Sequence, residues 1–257
     1  MRPATAAARS CGLDILAALA DATGTLPSSR IAAETGRDRG LTARAVGDLG
    51  RLGLVDGDAT VGASLSWVLR AQAGRVVEQR LASRGQPALD ELARACRESA
   101  YLVRREGSRS VTLVEALPDL PVHGGSWLGR SQPAIRSDAA PILLSDLDPA
   151  SLAAILADRD VGPAQSGAPR TLAALERLIE RAQVDGHCVL VDYVERGTMS
   201  IASGVWDFRG RLVGAIVVMG PRDRMRPREA RLTRAVRTAA DGLSRELGGR
   251  RPDGVGA

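Results

Sequence analysis

Lysine is absent from this sequence, so all 35 of its basic residues are arginine. Arginine suits bidentate contacts to phosphate or guanine, but the codon usage of a GC-rich genome produces the same bias, so this absence does not by itself select a partner. Cysteine is scarce: Cys11, Cys96 and Cys188 are odd in number, far apart and without a CxxC pair. Only His123 and His187 are available as imidazole partners, which argues against both a disulfide scaffold and a metal site. No apolar run has the length of a membrane span, and the opening MRPATAAARS is too short and too polar for a secretory h-region, so the expected location is the cytoplasm, with no membrane partner. A Ser-His-Asp order, a phosphate-cradling glycine loop and metal-ligand spacing are all missing; neither an enzyme nor a cofactor is expected, and no catalytic residue is assigned.

What is present is the composition of a folded protein, with 44% hydrophobic and 25% charged residues. A length of 257 residues suits two cores better than one. The net charge of +5 and the pI near 10.0 imply attraction to polyanions in general and cannot name one. Both ends read as loose: residues 1–10 as a disordered start and 249–257 as a flexible tail.

Residues 11–64 read as a winged helix-turn-helix. A short first helix is expected from Gly12, with Leu13, Ile15, Leu16 and Leu19 at helical spacing and Gly24 as its stop. Ser28 or Ser29 is placed to cap a second helix through Ile31, Ala32 and Ala33 to Gly36. After a turn at 37–40, Thr42, Ala45, Val46, Leu49 and Leu52 form one stripe of a third helix. The chain then extends from Gly53, turns at Asp56-Gly57-Asp58, and returns along Ala59-Thr60-Val61 as the second strand of a wing. This order lays a third helix in a DNA major groove, where Arg39, Gly40, Leu41, Ala43 and Arg44 are the candidate readers and Ser28, Ser29 and Arg30 the candidate phosphate contacts. The same pattern fits a three-helix packing module with solvated arginines. Gly40, Gly47 and Gly50 each cost the recognition helix roughly 1 kcal/mol relative to alanine. The wing carries Asp56 and Asp58 and no arginine, so tight non-specific binding is not expected.

Residues 65–83 read as a linker helix, interrupted near Gly74, whose Leu65, Val68, Leu69, Val76, Val77 and Leu81 suit packing against a second copy. Residues 84–248 form the larger domain. A separate amphipathic helix is expected after Pro87, then strands at Ser99–Arg104 and Ser110–Glu115, helices around Ile142–Leu147 and over Thr171–Ala182, strands at Met199–Asp207 and Leu212–Gly220, and a last helix from Pro227 to Leu247. Antiparallel strands with flanking helices make the class α+β.

Three stretches resemble one family. Gly12-Leu13-Asp14-Ile15-Leu16, Ile31–Gly36 and Leu49–Val55 look like the helix-turn-helix of the IclR family of bacterial regulators; Pro133–Leu144 is similar to its pocket-side segment; and Ser200–Asp207 with Gly214–Pro221 resembles its paired signature strands. The resemblance implies a GAF-like effector domain, a homodimer or homotetramer, a partly palindromic double-stranded DNA operator, and a small-molecule effector that changes the affinity for it. GAF-like folds include thiol-dependent reductases, but those need paired reactive cysteines, whereas Cys96 and Cys188 sit at positions where buried, inert thiols are common.

The sequence also departs from the family pattern. Positions that carry serines, a carboxylate and a cysteine in relatives binding small organic acids are here Val217 and Met219, Leu190, and Ser200. An anionic ligand finds few donors there. The expected effector is therefore relatively apolar, in a cup formed by Trp127, Asp138, Ala139, Ala140, Leu190, Ser200, Val217 and Met219, with Trp206 and Tyr193 as further aromatic candidates. The apolar members equally suit a filled core, and Asp138 equally suits a helix N-cap. The competing function is a sensor whose degenerate DNA-binding head acts through a protein partner.

Overall fold

The computed structural model describes residues 6–22, 24–58, 62–121, 123–157, 169 and 171–251, with backbone alone for 6–10, 21 and 70–76. The chain divides into two compact units, residues 1–78 and 79–257. In the first, α1 (Ala6–Asp21), α2 (Ser28–Thr35) and α3 (Arg39–Arg51) precede an antiparallel hairpin of β1 (Val55–Asp58) and β2 (Gly62–Leu65). Cys11, Ile15 and Leu19 of α1, Ile31 of α2, and Val46 and Leu49 of α3 are buried together with Val55 and Ala63, so the three helices and the hairpin share one core. Leu26 and Ala63 exchange backbone hydrogen bonds of 2.8 Å in each direction, which ties the loop before α2 to the hairpin.

Several expectations for this unit need correcting. The first helix begins at Ala6, inside the stretch expected to be disordered. Leu52 does not complete the α3 stripe: it is the C-cap residue and is 72% exposed. Asp56-Gly57-Asp58 lies within β1 and does not form the turn. Its glycine serves a close cross-strand approach, since a Cβ on Gly57, at φ 90°, would lie 2.1 Å from the carbonyl oxygen of Gly62. The return strand is therefore Gly62–Leu65, and the expected strand Ala59-Thr60-Val61 lies outside the described residues.

A single helix, α4 (Trp67–Cys96), replaces the expected linker helix and separate second helix. Ser66 opens it, with Oγ accepting from Leu69 N at 3.3 Å, while the Asp56 carboxylate accepts from Trp67 N at 3.0 Å. Pro87 lacks an N–H and crowds the carbonyl one turn back, which ordinarily breaks a helix. Burial of Leu81, Leu89, Leu92 and Cys96 on one face carries α4 through it.

The second unit is built on a six-stranded antiparallel sheet. Its members are β3 (Ser99–Glu106), β4 (Arg109–Ala116), β5 (Ser131–Pro133), β6 (Cys188–Val191), β7 (Thr198–Trp206) and β8 (Leu212–Pro221), in the order β5-β4-β3-β8-β7-β6. One face packs against α4 and α9 (Glu229–Glu246), through Leu102, Ile201, Ile216 and Val218 with Leu232, Val236 and Leu243. The other packs against α5 (Ala140–Leu143), α6 (Pro149–Ala157) and α7 (Leu172–Asp185), through Tyr101, Val103, Ala202, Ala215 and Val217. Both faces are covered, which is why β7 and β8 read as nearly continuous apolar runs. The short α8 (Arg222–Met225) and one 3-10 turn lead into α9, which starts two residues after the expected Pro227. The helical stretch expected around Ile142–Leu147 is displaced to α5 and α6, with Leu147 between them.

Candidate functional site

The outward face of the first unit is built on α2 and α3. Asp38 caps α3 by accepting from Leu41 N at 2.9 Å, and the buried Thr42, Val46 and Leu49 anchor the inner face. Arg39, Gly40 and Arg44 are exposed, and Leu41 and Ala43 are half-buried. The Arg44 Nε donates to the Gly40 carbonyl at 3.2 Å, which lays this side chain back along its own helix. Gly40 and Gly47 share the exposed side, leaving a low ridge that lets the backbone approach a partner closely.

On α2, Ser29 and Arg30 are exposed, with Arg30 3.0 Å from Glu34. Ser28 is turned inward: it is buried, its Oγ has no hydrogen-bond partner, and the N-cap position is Pro27, without a side-chain cap. The expected serine cap is thus not made, and Ser28 is not on the outer face. Because three glycines weaken α3, its cap matters. Asp38→Ala is expected to cost the first unit about 1 kcal/mol and Asp38→Asn much less, measured by urea unfolding of the full chain followed by circular dichroism.

In the second unit the strand register aligns two rows across one face of the sheet. Ser99, Met219, Ser200 and Leu190 are successive partners, as are Tyr101, Val217, Ala202 and Cys188. Above them lies a cavity of about 30 Å³ lined by Tyr101, Val103, Thr112, Trp127, Gln132, Ser137, Asp138, Val194, Val217 and Met219. Of the residues expected in a cup, Trp127, Asp138, Val217 and Met219 line this space. Ser200 is buried beneath it, and its Oγ donates to the Asp138 carbonyl at 3.3 Å. Ala139, Ala140 and Leu190 belong to the packed layer and are not among the lining residues. Tyr193 is buried with its hydroxyl donating to Ile135 O at 2.9 Å, bracing the segment that carries Asp138, and Trp206 binds Ser244 Oγ through its backbone at the far end of β7.

Tyr101, Val103, Thr112, Gln132, Ser137 and Val194 were not anticipated. Alternation along β3 places Tyr101 and Val103 on the same face, a signal that was legible. Thr112 comes opposite Val103 only through a register shift between Leu102 and Val103, which no sequence pattern marked.

Asp138 does not cap a helix: the N-cap of α5 is Ala139, without a side-chain cap, and Ala139 N instead donates to Ser137 Oγ at 3.2 Å. Burial pushes the Asp138 carboxyl up to about 6; the Ser200 hydroxyl opposes this rise and Glu195 adds to it. Burial likewise raises the Tyr101 phenol to about 12.

Residues 124–128 cross over side chains that line the cavity. Ser99 Oγ donates to Gly124 O at 3.3 Å and Tyr101 Oη to Gly125 O at 2.8 Å. The Glu115 carboxylate accepts from Ser126 Oγ at 2.6 Å, Trp127 N at 2.7 Å and Leu128 N at 3.0 Å. A Cβ on Gly124 would lie 2.6 Å from Tyr101 Oη and 2.7 Å from Met219 Cε, so only glycine lets this segment sit this low.

Comparison with known proteins decides what this architecture is. Residues 73–245 match the bacterial transcriptional regulator IclR C-terminal family, and residues 11–59 match the IclR helix-turn-helix domain. The chain belongs to the IclR family. It is similar to the HTH-type transcriptional regulator KipR of Bacillus subtilis, 25% identical over 226 residues, spanning 87% of this chain and 90% of that protein. It is also similar to the Pca regulon regulatory protein of Pseudomonas putida, 28% identical over 213 residues, spanning 80% and 72%. An IclR-family transcriptional regulator from a Rhodococcus species has the same fold, with a TM-score of 0.65 at 20% identity, covering 96% of this chain and 97% of that one.

This IclR protein is therefore a DNA-binding transcription regulator with an α+β build: a helix-turn-helix with a hairpin wing, a linker helix, and a GAF-like effector domain. The family consists of regulators, not enzymes. Burial raises the Cys96 thiol and pushes Cys188 up to about 12, so both stay protonated near neutral pH, consistent with structural roles. No described helix is long and apolar enough to cross a membrane.

Proposed function

We propose that this regulator binds its operator as a homodimer or homotetramer and that a small, largely apolar effector in the cup of the second unit changes its affinity for that DNA. Arg39, Gly40, Leu41, Ala43 and Arg44 read base edges from α3, while Ser29 and Arg30 contact phosphates. Ser28, being buried, supports the start of α2 from within. The observation that carries the effector part is the set of Trp127, Val217 and Met219 around a single carboxyl, Asp138, in one cavity. At about 30 Å³ this cavity is far below the roughly 300–1,000 Å³ of an occupied ligand site, so effector entry requires the cup to open. The linker helix carries the coupling, because the two reading helices must be spaced to match two half-sites.

Arg44→Ala is expected to weaken specific binding by about 1–3 kcal/mol if its guanidinium reads a base, and by much less if it remains against Gly40 O. Titration of labelled fragments from beside its own gene, with and without a library of small, largely apolar compounds, neutral and charged, tests both parts. An effector that shifts the operator affinity in the wild type but not after Trp127→Ala supports the cup; an effector equally active on that variant contradicts it.

A further inference from the structure

The charges around the cup suggest what kind of molecule it takes, an inference that rests on the cup being the effector site. Asp138 presents its carboxyl to the cavity, with the Ser200 hydroxyl beside it. The ionisable groups that act on it or respond to it from the neighbouring elements are Glu195, Tyr101, Tyr193 and Cys188, and Tyr101 in turn feels Glu115 on β4. All of these are acidic or neutral. Across the same cavity lies Trp127, whose ring carries the Arg130 guanidinium 5.6 Å from its centroid, the cation nearest this wall among the described residues.

We propose that the effector is a small organic cation: an ammonium on an aromatic or alicyclic body, with its charge against Asp138 and its body against Trp127. A carboxylate recognises an ammonium through a charge-assisted hydrogen bond, and an indole on the other side of the same space gives the ligand's ring an aromatic surface to pack against. An anion placed there meets Asp138 at close range with Glu115 and Glu195 behind it. A wholly apolar ligand leaves the ionised carboxyl buried against hydrocarbon, which is costly.

Room for the ligand comes from residues 124–128. Among the described residues, Gly124 and Gly125 are held through their carbonyls, Gly124 O by Ser99 Oγ and His123 Nδ1 and Gly125 O by Tyr101 Oη, while Glu115 grips residues 126–128 with three bonds. The glycine end lifts while the Glu115 end stays, so Trp127 remains at the rim to meet the ligand.

The test uses the full-length protein with benzylamine, benzyl alcohol and benzoate as cationic, neutral and anionic probes of similar size. Thermal unfolding and tryptophan fluorescence are followed for the wild type and Asp138→Asn. The expected result near pH 7.5 is that benzylamine binds roughly tenfold or more tightly than benzyl alcohol and that benzoate does not bind. The preference for the amine is expected to disappear in Asp138→Asn, and in the wild type to weaken near pH 5, where Asp138 gains a proton while the amine keeps its charge. Benzoate or benzyl alcohol binding as tightly as benzylamine, the outcome if Arg130 draws the ligand, overturns the cation and leaves the cup standing. So does an amine preference that survives Asp138→Asn. Absence of binding by all three probes overturns both. Far-UV circular dichroism of the variant shows whether any lost binding reflects lost folding.

Discussion

Replacing Glu98 with alanine is expected to lower the unfolding free energy of the effector domain by about 3 kcal/mol or more. Glu98 is fully buried at the junction of α4 and β3. Arg224 grips its carboxylate with both arms of the guanidinium, at 2.8 Å from Nε and 2.6 Å from Nη2, and Arg228 adds a third bond to Oε1. Arg228 also donates to the Cys96 carbonyl at 2.9 Å, so this cluster joins the end of α4 to the turn that enters α9. Gly220 leaves the space: a Cβ there would lie 2.2 Å from the Glu98 carboxylate. The alanine variant strands two guanidinium groups around an apolar gap, although both reach solvent in part and rehydrate. Glu98→Gln keeps the shape and loses the charge, so a smaller loss is expected. Urea unfolding monitored in the effector domain checks the order; an alanine variant within about 1 kcal/mol of wild type would show the cluster to be dispensable.

Asp138→Asn is expected to act in the opposite direction and stabilise the protein at neutral pH. The folded-state pKa of about 6 lies above the ordinary aspartate value of 3.8, so folding disfavours the ionised form. Below about pH 4 the carboxyl is protonated in both states and the penalty vanishes; it grows between about pH 4 and 6 and is complete above that. Moving the carboxyl from 3.8 to about 6 corresponds to roughly 3 kcal/mol, the upper limit of the gain. Wild-type stability therefore falls as pH rises through this window, whereas the asparagine variant loses that component of the dependence. Unfolding midpoints of the two proteins should coincide near pH 4 and separate near pH 8, and an equal difference at both would refute the assignment.

The helices of both units were legible where one face is apolar. Thr42, Val46 and Leu49 of the expected α3 stripe are buried, and of the apolar residues expected in α7, Leu172, Leu175, Leu178 and Ile179, Leu175 and Ile179 are buried while Leu172 and Leu178 are half-buried. Prolines and glycines misled the boundaries, because their usual meaning is local and here tertiary contact decided. Pro87 lies inside α4, and Gly57 serves a close strand approach instead of a turn. Four of the eight residues expected in the cup line the cavity, all on β8 or the segments that cross it. Of the remaining lining, Thr112 depends on a β-bulge in the β3–β4 pairing, which has no period to detect. Ala139 and Ala140 follow Asp138 in sequence, but their side chains pack into the core.

The most direct measurement is binding of the purified full-length protein to DNA fragments flanking its own gene, at several salt concentrations and against a random fragment as competitor. Selective binding that survives competition and weakens with added salt is the predicted result. Binding no tighter than to the random fragment at every salt concentration would contradict it, and would assign the first unit to a protein partner instead of an operator.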